Sequence, residues 1–216
     1  MPEATGENWN KEKTMLRRLE HAMMTMEKPS TFFDTFSNEE RAVFREVYDL
    51  IGVMQPEKYH PEGDAFVHTM MVLDEAAQVK EQAIQPFDFM LAALTHDLGK
   101  KIATGRKENG EWHSIGHERK GIPLIRAMLI RLGAKKETIC YCENLCKLHM
   151  RVHTCFYGKA GVKATNRLFG ECVCPQDLAL LCICDTLGTG KPRESAVPEE
   201  RFIRERLNEF IQQNHA

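Results

Sequence analysis

The sequence has no long apolar run. Its longest, Leu178 to Cys184, falls far short of the ~18 consecutive apolar residues that a membrane span needs. The opening residues, MPEATGENWNKEK, lack an apolar h-region. A secretory signal is therefore not expected, and the cytoplasm is the expected location. Neither sign of charge dominates: 29 Lys and Arg against 31 Asp and Glu leave a net charge of −2. Without a basic surplus, an extended nucleic-acid surface held by bulk electrostatics is excluded, although a local basic pocket is not. None of the eight cysteines stands in a CxxC pair. With no export signal, they read as buried small hydrophobes rather than as disulfides or a metal framework.

Strand-like alternation is missing too, and helical spacing takes its place. The 216 residues, 43% of them hydrophobic, suffice for a core that hides roughly 70% of the unfolded chain's surface. Lys11 to Glu27 reads as a helix closed by Pro29. Ser37, with Glu40 three residues on, has the spacing of a capping box and opens a helix running towards Gly52. Asp64 is placed to cap a helix from Ala65 to about Ala83, and Pro86 opens another expected to reach Leu98. Lys101 to Ser114 is a polar loop. Helices are expected again at about Gly116–Leu132, Lys135–Met150, Pro175–Leu187 and Pro198–Gln213, with a short one near Val162–Phe169. The expected fold is all-α, a single helical bundle.

The informative residues are polar ones where periodicity demands core. FDFMLAALTHDL (Phe87 to Leu98) is apolar almost all round, as a buried helix is, yet it ends in His96 and Asp97. Leu178, Leu181 and Cys182 form an inward stripe whose next member is Asp185. His68 stands among apolar neighbours in AFVHTMMVL. A buried carboxylate costs several kcal/mol unless cations, donors or a metal compensate it. His96 and Asp97 differ by about 100° around a helix and can reach one ion. If the helical turn continues through Gly99, Lys100 points to the same side. Imidazole and carboxylate ligands followed by a cation suit a metal and an anionic substrate. Such ligands fit Mn²⁺, Ni²⁺, Co²⁺, Fe²⁺ or Mg²⁺.

The order His68, His96-Asp97, Asp185 resembles the HD-domain superfamily of metal-dependent phosphohydrolases. YHPEGDAFVHTMMVLDEAA (Tyr59–Ala77), LAALTHDLGK (Leu91–Lys100), GHERKG (Gly116–Gly121), KLHMR (Lys147–Arg151) and DLALLCICDTLGTG (Asp177–Gly190) are similar to the HD domain of bacterial tRNA nucleotidyltransferases, the CCA-adding enzymes. The resemblance covers roughly Gln55–Gly190. It implies an HD domain over 55–190; the flanks, outside its motifs, are read from their helical spacing as N-terminal helices in 1–54 packing on the core and a C-terminal helix in 191–216. The paired catalytic carboxylates and glycine-rich loop of the nucleotidyltransferase head have no counterpart in this sequence, so CCA addition is not expected.

The resemblance implies hydrolysis of nucleotide or RNA-end phosphoesters, including 2′,3′-cyclic nucleotides. His68, His96, Asp97 and Asp185 would hold one divalent ion, and His117 and His149 a second bridged through Asp97. Asp97 and Lys100 would carry the chemistry, with Lys100 on a phosphate oxygen and Arg119 and Arg151 as further substrate contacts. His113 and His153 compete with His117 and His149 for the metal-facing positions, and His60 is a candidate for the mouth. The expected partner is a small nucleotide or an RNA 3′ end, with no membrane. The alternatives are a 5′-deoxynucleotidase, a nucleoside triphosphate hydrolase, or a non-catalytic nucleotide-binding module.

Overall fold

A computed structural model describes residues 6–214 and bears out an all-α fold. Helix α1 (Gly6–Thr25) buries Met15, Leu19, Ala22 and Met23, one stripe at helical spacing. The capping box forms as expected: the Glu40 amide donates to Ser37 Oγ, and the Ser37 amide to Glu40 Oε2 at 2.9 Å. The helix it opens is shorter than expected. It breaks at Phe44, whose φ of −110° and ψ of 29° separate α2 (Asn38–Val43) from α3 (Arg45–Tyr48). Phe44 is fully buried and stacks on Phe36 at 5.3 Å, so aromatic packing overrides the continuing helical pattern.

Asp64 caps α4 (Ala65–Val79), accepting from the Val67 amide at 2.9 Å. Helix α5 (Pro86–Thr95) is buried along Phe89–Thr95, as its sequence demands. Each large side chain there contributes about 1.5–3 kcal/mol through burial. The helix ends three residues before Leu98, and His96 to Gly99 form a turn leading into α6 (Lys100–Ala103). The loop expected from Lys101 to Ser114 holds the last residues of α6 and a small hairpin. Its strands β1 (Gly105–Arg106) and β2 (Trp112–His113) pair antiparallel. The chain continues through α7 (His117–Lys120) and α8 (Ile122–Arg131). Helix α9 (Lys136–Tyr157) follows and runs past its expected end at Met150. The last helices are α10 (Val162–Gly170), α11 (Pro175–Leu187) and α12 (Val197–Asn214). Among the described residues, no helix is long and apolar enough to cross a membrane.

Helix α9 is the axis of the bundle, packing on α5, α7, α8, α10, α11 and α12. Two glycines bring the remaining segments close. A Cβ at Gly99 would lie 2.0 Å from the His117 carbonyl oxygen and 2.5 Å from the Gly121 amide. Only glycine therefore lets the turn after α5 rest against the start of α7. A Cβ at Gly188 would meet Val72 at 2.5 Å, so the end of α11 lies directly on α4.

Candidate metal centre

These contacts gather polar side chains from five helices and one turn into an otherwise apolar interior. His68 comes from α4, His96 and Asp97 from the turn, Lys100 from α6, and His117 from the first position of α7. His149 and His153 come from α9, and Asp185 from the inward stripe of α11. All are buried.

Asp97 stands at the centre, and its two oxygens face different neighbours. Oδ2 lies 3.2 Å from His96 Nε2, 3.6 Å from His68 Nε2 and 2.5 Å from Lys100 Nζ. Oδ1 lies 3.1 Å from His117 Nε2 and 3.8 Å from His149 Nε2. Asp185 Oδ1 completes the first group, 2.9 Å from His68 Nε2 and 3.8 Å from His96 Nε2. Two potential ligand groups thus share one carboxylate: His68, His96 and Asp97, and Asp97, His117 and His149.

The protonation pattern follows from the backbone. His96, His117 and His149 each direct Nδ1 at the carbonyl three residues back, donating to Ala93, Ser114 and Cys146 at 2.9, 2.8 and 2.6 Å. A carbonyl only accepts, so these nitrogens carry the hydrogens and a neutral ring presents a bare lone pair on Nε2. Burial, followed by the neighbouring His117 and His96, pushes His149 down to about 3, so it is neutral. Its Nε2 lies 3.3 Å from His117 Nε2. His96 Nε2 and both Asp97 oxygens are buried without an aligned hydrogen bond. Lys100 is the one fixed cation at Asp97, and buried polar atoms without an aligned hydrogen bond are costly. A divalent metal ion satisfies them at once, and the imidazole and carboxylate set fits one.

Electrostatics reinforce the acceptor character. Burial alone raises the Asp97 carboxyl, but His96, Lys100 and His117 hold it well below the usual carboxylate range. His153 and His68 do the same for Asp185 against its own burial. Two outer glutamates anchor the rings. Glu62 Oε1 accepts from His60 Nδ1 at 2.8 Å and lies 2.8 Å from His68 Nδ1, which also faces the Gly188 carbonyl at 3.3 Å. Glu199 Oε1 accepts from His153 Nδ1 at 2.7 Å, and His153 Nε2 is 2.9 Å from Asp185 Oδ2. The hydrogen bonds to Asp185 and Glu62 overcome burial and push His68 up to about 9.

The competition between histidines resolves by position. His117 and His149 face Asp97. His113 sits on β2 against Gly105 instead. His153, one turn beyond His149 on the lengthened α9, meets the far oxygen of Asp185. Lys100 points into the group although the helix is interrupted, because Gly99 stays in the right-handed region with φ −67° and ψ −15°. Its ammonium also donates to Gln55 Oε1 at 2.6 Å. Arg119 and Arg151 stand apart from the cluster, on the walls of the cleft of about 1240 Å³ that opens over it. Arg151 is held there by Glu171. His60 lines the same cleft. Glu62, Glu199 and Gln55 are absent from the sequence reading. Glu199 left a trace: it is buried one turn before buried Ile203 on α12, a carboxylate on an inward stripe. Nothing local marks Glu62.

Five cysteines are buried as expected, but Cys155 and Cys172 are half-buried and Cys140 is exposed. Cys142, Cys146 and Cys182 are buried with thiols pushed up by burial, and Cys146 Sγ donates to the His96 carbonyl at 3.0 Å.

With that geometry in view, similarity to known proteins becomes specific. No family model matches the chain. It is 32% identical over 179 residues to the multifunctional CCA protein of Mannheimia succiniciproducens, covering 81% of this chain and 42% of that protein. The chain is homologous to one part of the multifunctional CCA proteins. It matches the one from Pasteurella multocida at 32% identity over 193 residues, 86% of this chain and 45% of the relative. For the one from Shewanella frigidimarina the values are 30% over 188 residues, 83% and 43%. The chain thus spans less than half the length of these multifunctional CCA proteins, and the homology agrees with the HD-domain resemblance of its motifs.

Proposed function

We propose that the protein is a metal-dependent phosphohydrolase of the HD type, cleaving nucleotide or RNA-end phosphoesters such as 2′,3′-cyclic nucleotides. The observation that carries this reading is the split of Asp97 between two histidine groups, with both its oxygens and His96 Nε2 buried without an aligned hydrogen bond. His68, His96, Asp97 and Asp185 would hold one ion, and Asp97, His117 and His149 a second; Mn²⁺, Ni²⁺, Co²⁺, Fe²⁺ and Mg²⁺ are the candidates. A divalent ion there lowers the pKa of bound water and neutralises phosphoryl charge, the two requirements of phosphoester hydrolysis.

The chain's own residues supply the remainder. Lys100 Nζ reaches both Asp97 and the cleft, so it can hold a non-bridging phosphate oxygen beside the ligand groups. Arg119 and Arg151 on the cleft wall serve as outer phosphate contacts. Glu62 and Glu199 fix the rings of His68 and His153, keeping Nε2 of each aimed inward. We read residues 55–190 as the catalytic domain, with 1–54 and 191–216 packed on it; Glu199 reaches the cluster from the second flank.

The test is metal analysis of the purified protein, then reloading with each candidate ion. Bis-p-nitrophenyl phosphate, 2′,3′-cyclic AMP and 2′-AMP are assayed beside a deoxynucleoside 5′-monophosphate and ATP. Turnover of the first three supports the proposal. Preference for the last two moves the substrate to the deoxynucleotidase or triphosphatase alternative. No turnover on any of them, with metal confirmed in place, rejects catalysis.

A further inference from the structure

Phosphoester cleavage as proposed draws on the floor of the cleft and two arginines of its wall. At about 1240 Å³ the cleft exceeds the roughly 300–1,000 Å³ of ordinary small-molecule pockets. One wall is a face of α9 on which Lys147, Met150, Arg151, Thr154 and Tyr157 recur at helical spacing. From Lys147 to Tyr157 this face is about 15 Å long at 1.5 Å per residue. Bases stacked along a strand rise about 3.4 Å each, so the wall accommodates several, not one.

Its chemistry is also that of a strand rather than of a single phosphate. Lys147 and Arg119, both lining the cleft, are exposed and make no ion pair among the described residues; Arg151 is shared with Glu171. Two tyrosines stand at the mouth with their rings turned to solvent: Tyr157 is 67% exposed and Tyr59 49%. Tyr59 has two ammonium groups near it, Lys58 Nζ at 5.3 Å and Lys191 Nζ at 5.6 Å from its ring centre. Tyr157 packs edge-on against Phe156, with ring centres 5.0 Å apart, which holds it upright on the rim. Exposed rings flanked by unpaired cations are the components from which non-specific single-strand sites are built. The rings stack bases of any identity and the cations follow the backbone. An apolar peptide would leave the cations unmatched, and a duplex keeps its base faces stacked on one another rather than free for the rings.

We infer that the cleft takes the end of a single-stranded oligonucleotide, with Tyr59 and Tyr157 as stacking platforms and Lys147 and Arg119 as backbone contacts for the nucleotides preceding the terminal phosphoester. This rests on the phosphoester reading of the cleft floor. The number of cations is small, so only a few terminal nucleotides are held, in keeping with the near-neutral net charge.

The test is fluorescence anisotropy with the metal-loaded protein and 5′-fluorescein-labelled tetraadenylate, as RNA and as DNA, with AMP and a blunt duplex as competitors. The tetramer, in at least one of its two forms, is expected to bind at least tenfold more tightly than AMP. Tyr157→Ala and Tyr59→Ala should each lower that ratio by about tenfold, the contribution of one stacked base. Circular dichroism reports whether each variant is folded. Preferential binding upholds the inference even if no phosphoester is cleaved. Equal affinity for AMP and both tetramers, equal competition by the duplex, or folded tyrosine variants with an unchanged ratio overturns it, even if mononucleotides are hydrolysed.

Discussion

Lys100→Met separates two roles that the site would otherwise blur, holding metal and acting on substrate. The Lys100 ammonium is 2.5 Å from Asp97 Oδ2, with the lysine 6% and the aspartate 1% exposed. Methionine fills the same volume without the charge. In metal-free protein the substitution leaves a buried carboxylate short of its nearest cation, a loss of about 3–5 kcal/mol. At ~2–4 °C per kcal/mol for a chain of this size, the melting temperature falls by about 6–20 °C. Metal changes the balance. A ligand at 1,000 times its Kd stabilises by ~4 kcal/mol, which cancels most of that loss.

Activity should not recover in parallel. Losing one charge that stabilises the transition state costs ~10²–10³ in kcat. The assay pairs thermal melts, with and without chelator, against turnover of bis-p-nitrophenyl phosphate by protein of measured metal content. The expected signature is a variant destabilised without metal, restored by it, and slow in both states. A variant that fails to bind metal would show that Lys100 shapes the ligand site itself. One that binds metal with undiminished kcat would refute its contact with substrate.

Glu62→Gln keeps a side chain near His68 but weakens the carboxylate that fixes its ring. Metal affinity, measured by competition with a chromogenic chelator, should fall by about 10–100-fold with the fold intact. Asp177→Ala is the structural counterpart. Asp177 accepts from the Ile84 and Gln85 amides and from the Tyr141 hydroxyl, at 2.7, 3.1 and 2.6 Å. Its loss strands three donors, so stability should drop by about 3 kcal/mol or more in denaturant melts, with metal content unchanged. Tyr48 gives a pH dependence away from the site. Burial pushes its phenol up to about 12 while it donates to the Phe33 carbonyl at 2.6 Å. Because the folded value is raised, its contribution is complete below the ordinary value of about 10 and is lost as pH rises through about 12. Urea melts across that range should show a decline that Tyr48→Phe removes.

What the sequence disclosed depended on whether the signal was local. The Ser37 capping box, the Asp64 cap and the stripe from Leu178 to Asp185 are periodic or positional patterns, and they reappear as helices. The break at Phe44 is not local, because it follows from aromatic contacts with residues earlier in the chain. The helix end at Thr95 was missed for a related reason. The turn that replaces the last residues is stabilised by Gly99 resting on the α7 backbone, a contact that no spacing within the segment encodes. The same contact delivers His117 to Asp97. Choosing His117 over His113 therefore needed the family resemblance; the residues alone left both open.

Burial of an acid did not by itself point to chemistry, as two aspartates make plain. Asp97 and Asp177 are 1% and 0% exposed, and both lie in segments rich in apolar residues. Asp177 is met by three donors, two of them backbone amides just ahead of α5, and so ties α11 to that helix. Asp97 has the Nε2 atoms of His117 and His149 near one oxygen and Lys100 with two further imidazoles near the other, none in hydrogen-bond alignment. The first arrangement is complete without any ligand and serves the fold. The second leaves both oxygens without an aligned hydrogen bond even beside Lys100, and a divalent cation would complete it. The incomplete hydrogen bonding of Asp97, rather than its depth, marks it as the candidate ligand and Asp177 as the structural carboxylate. The distinction becomes visible only when the directions of all five histidine rings are known.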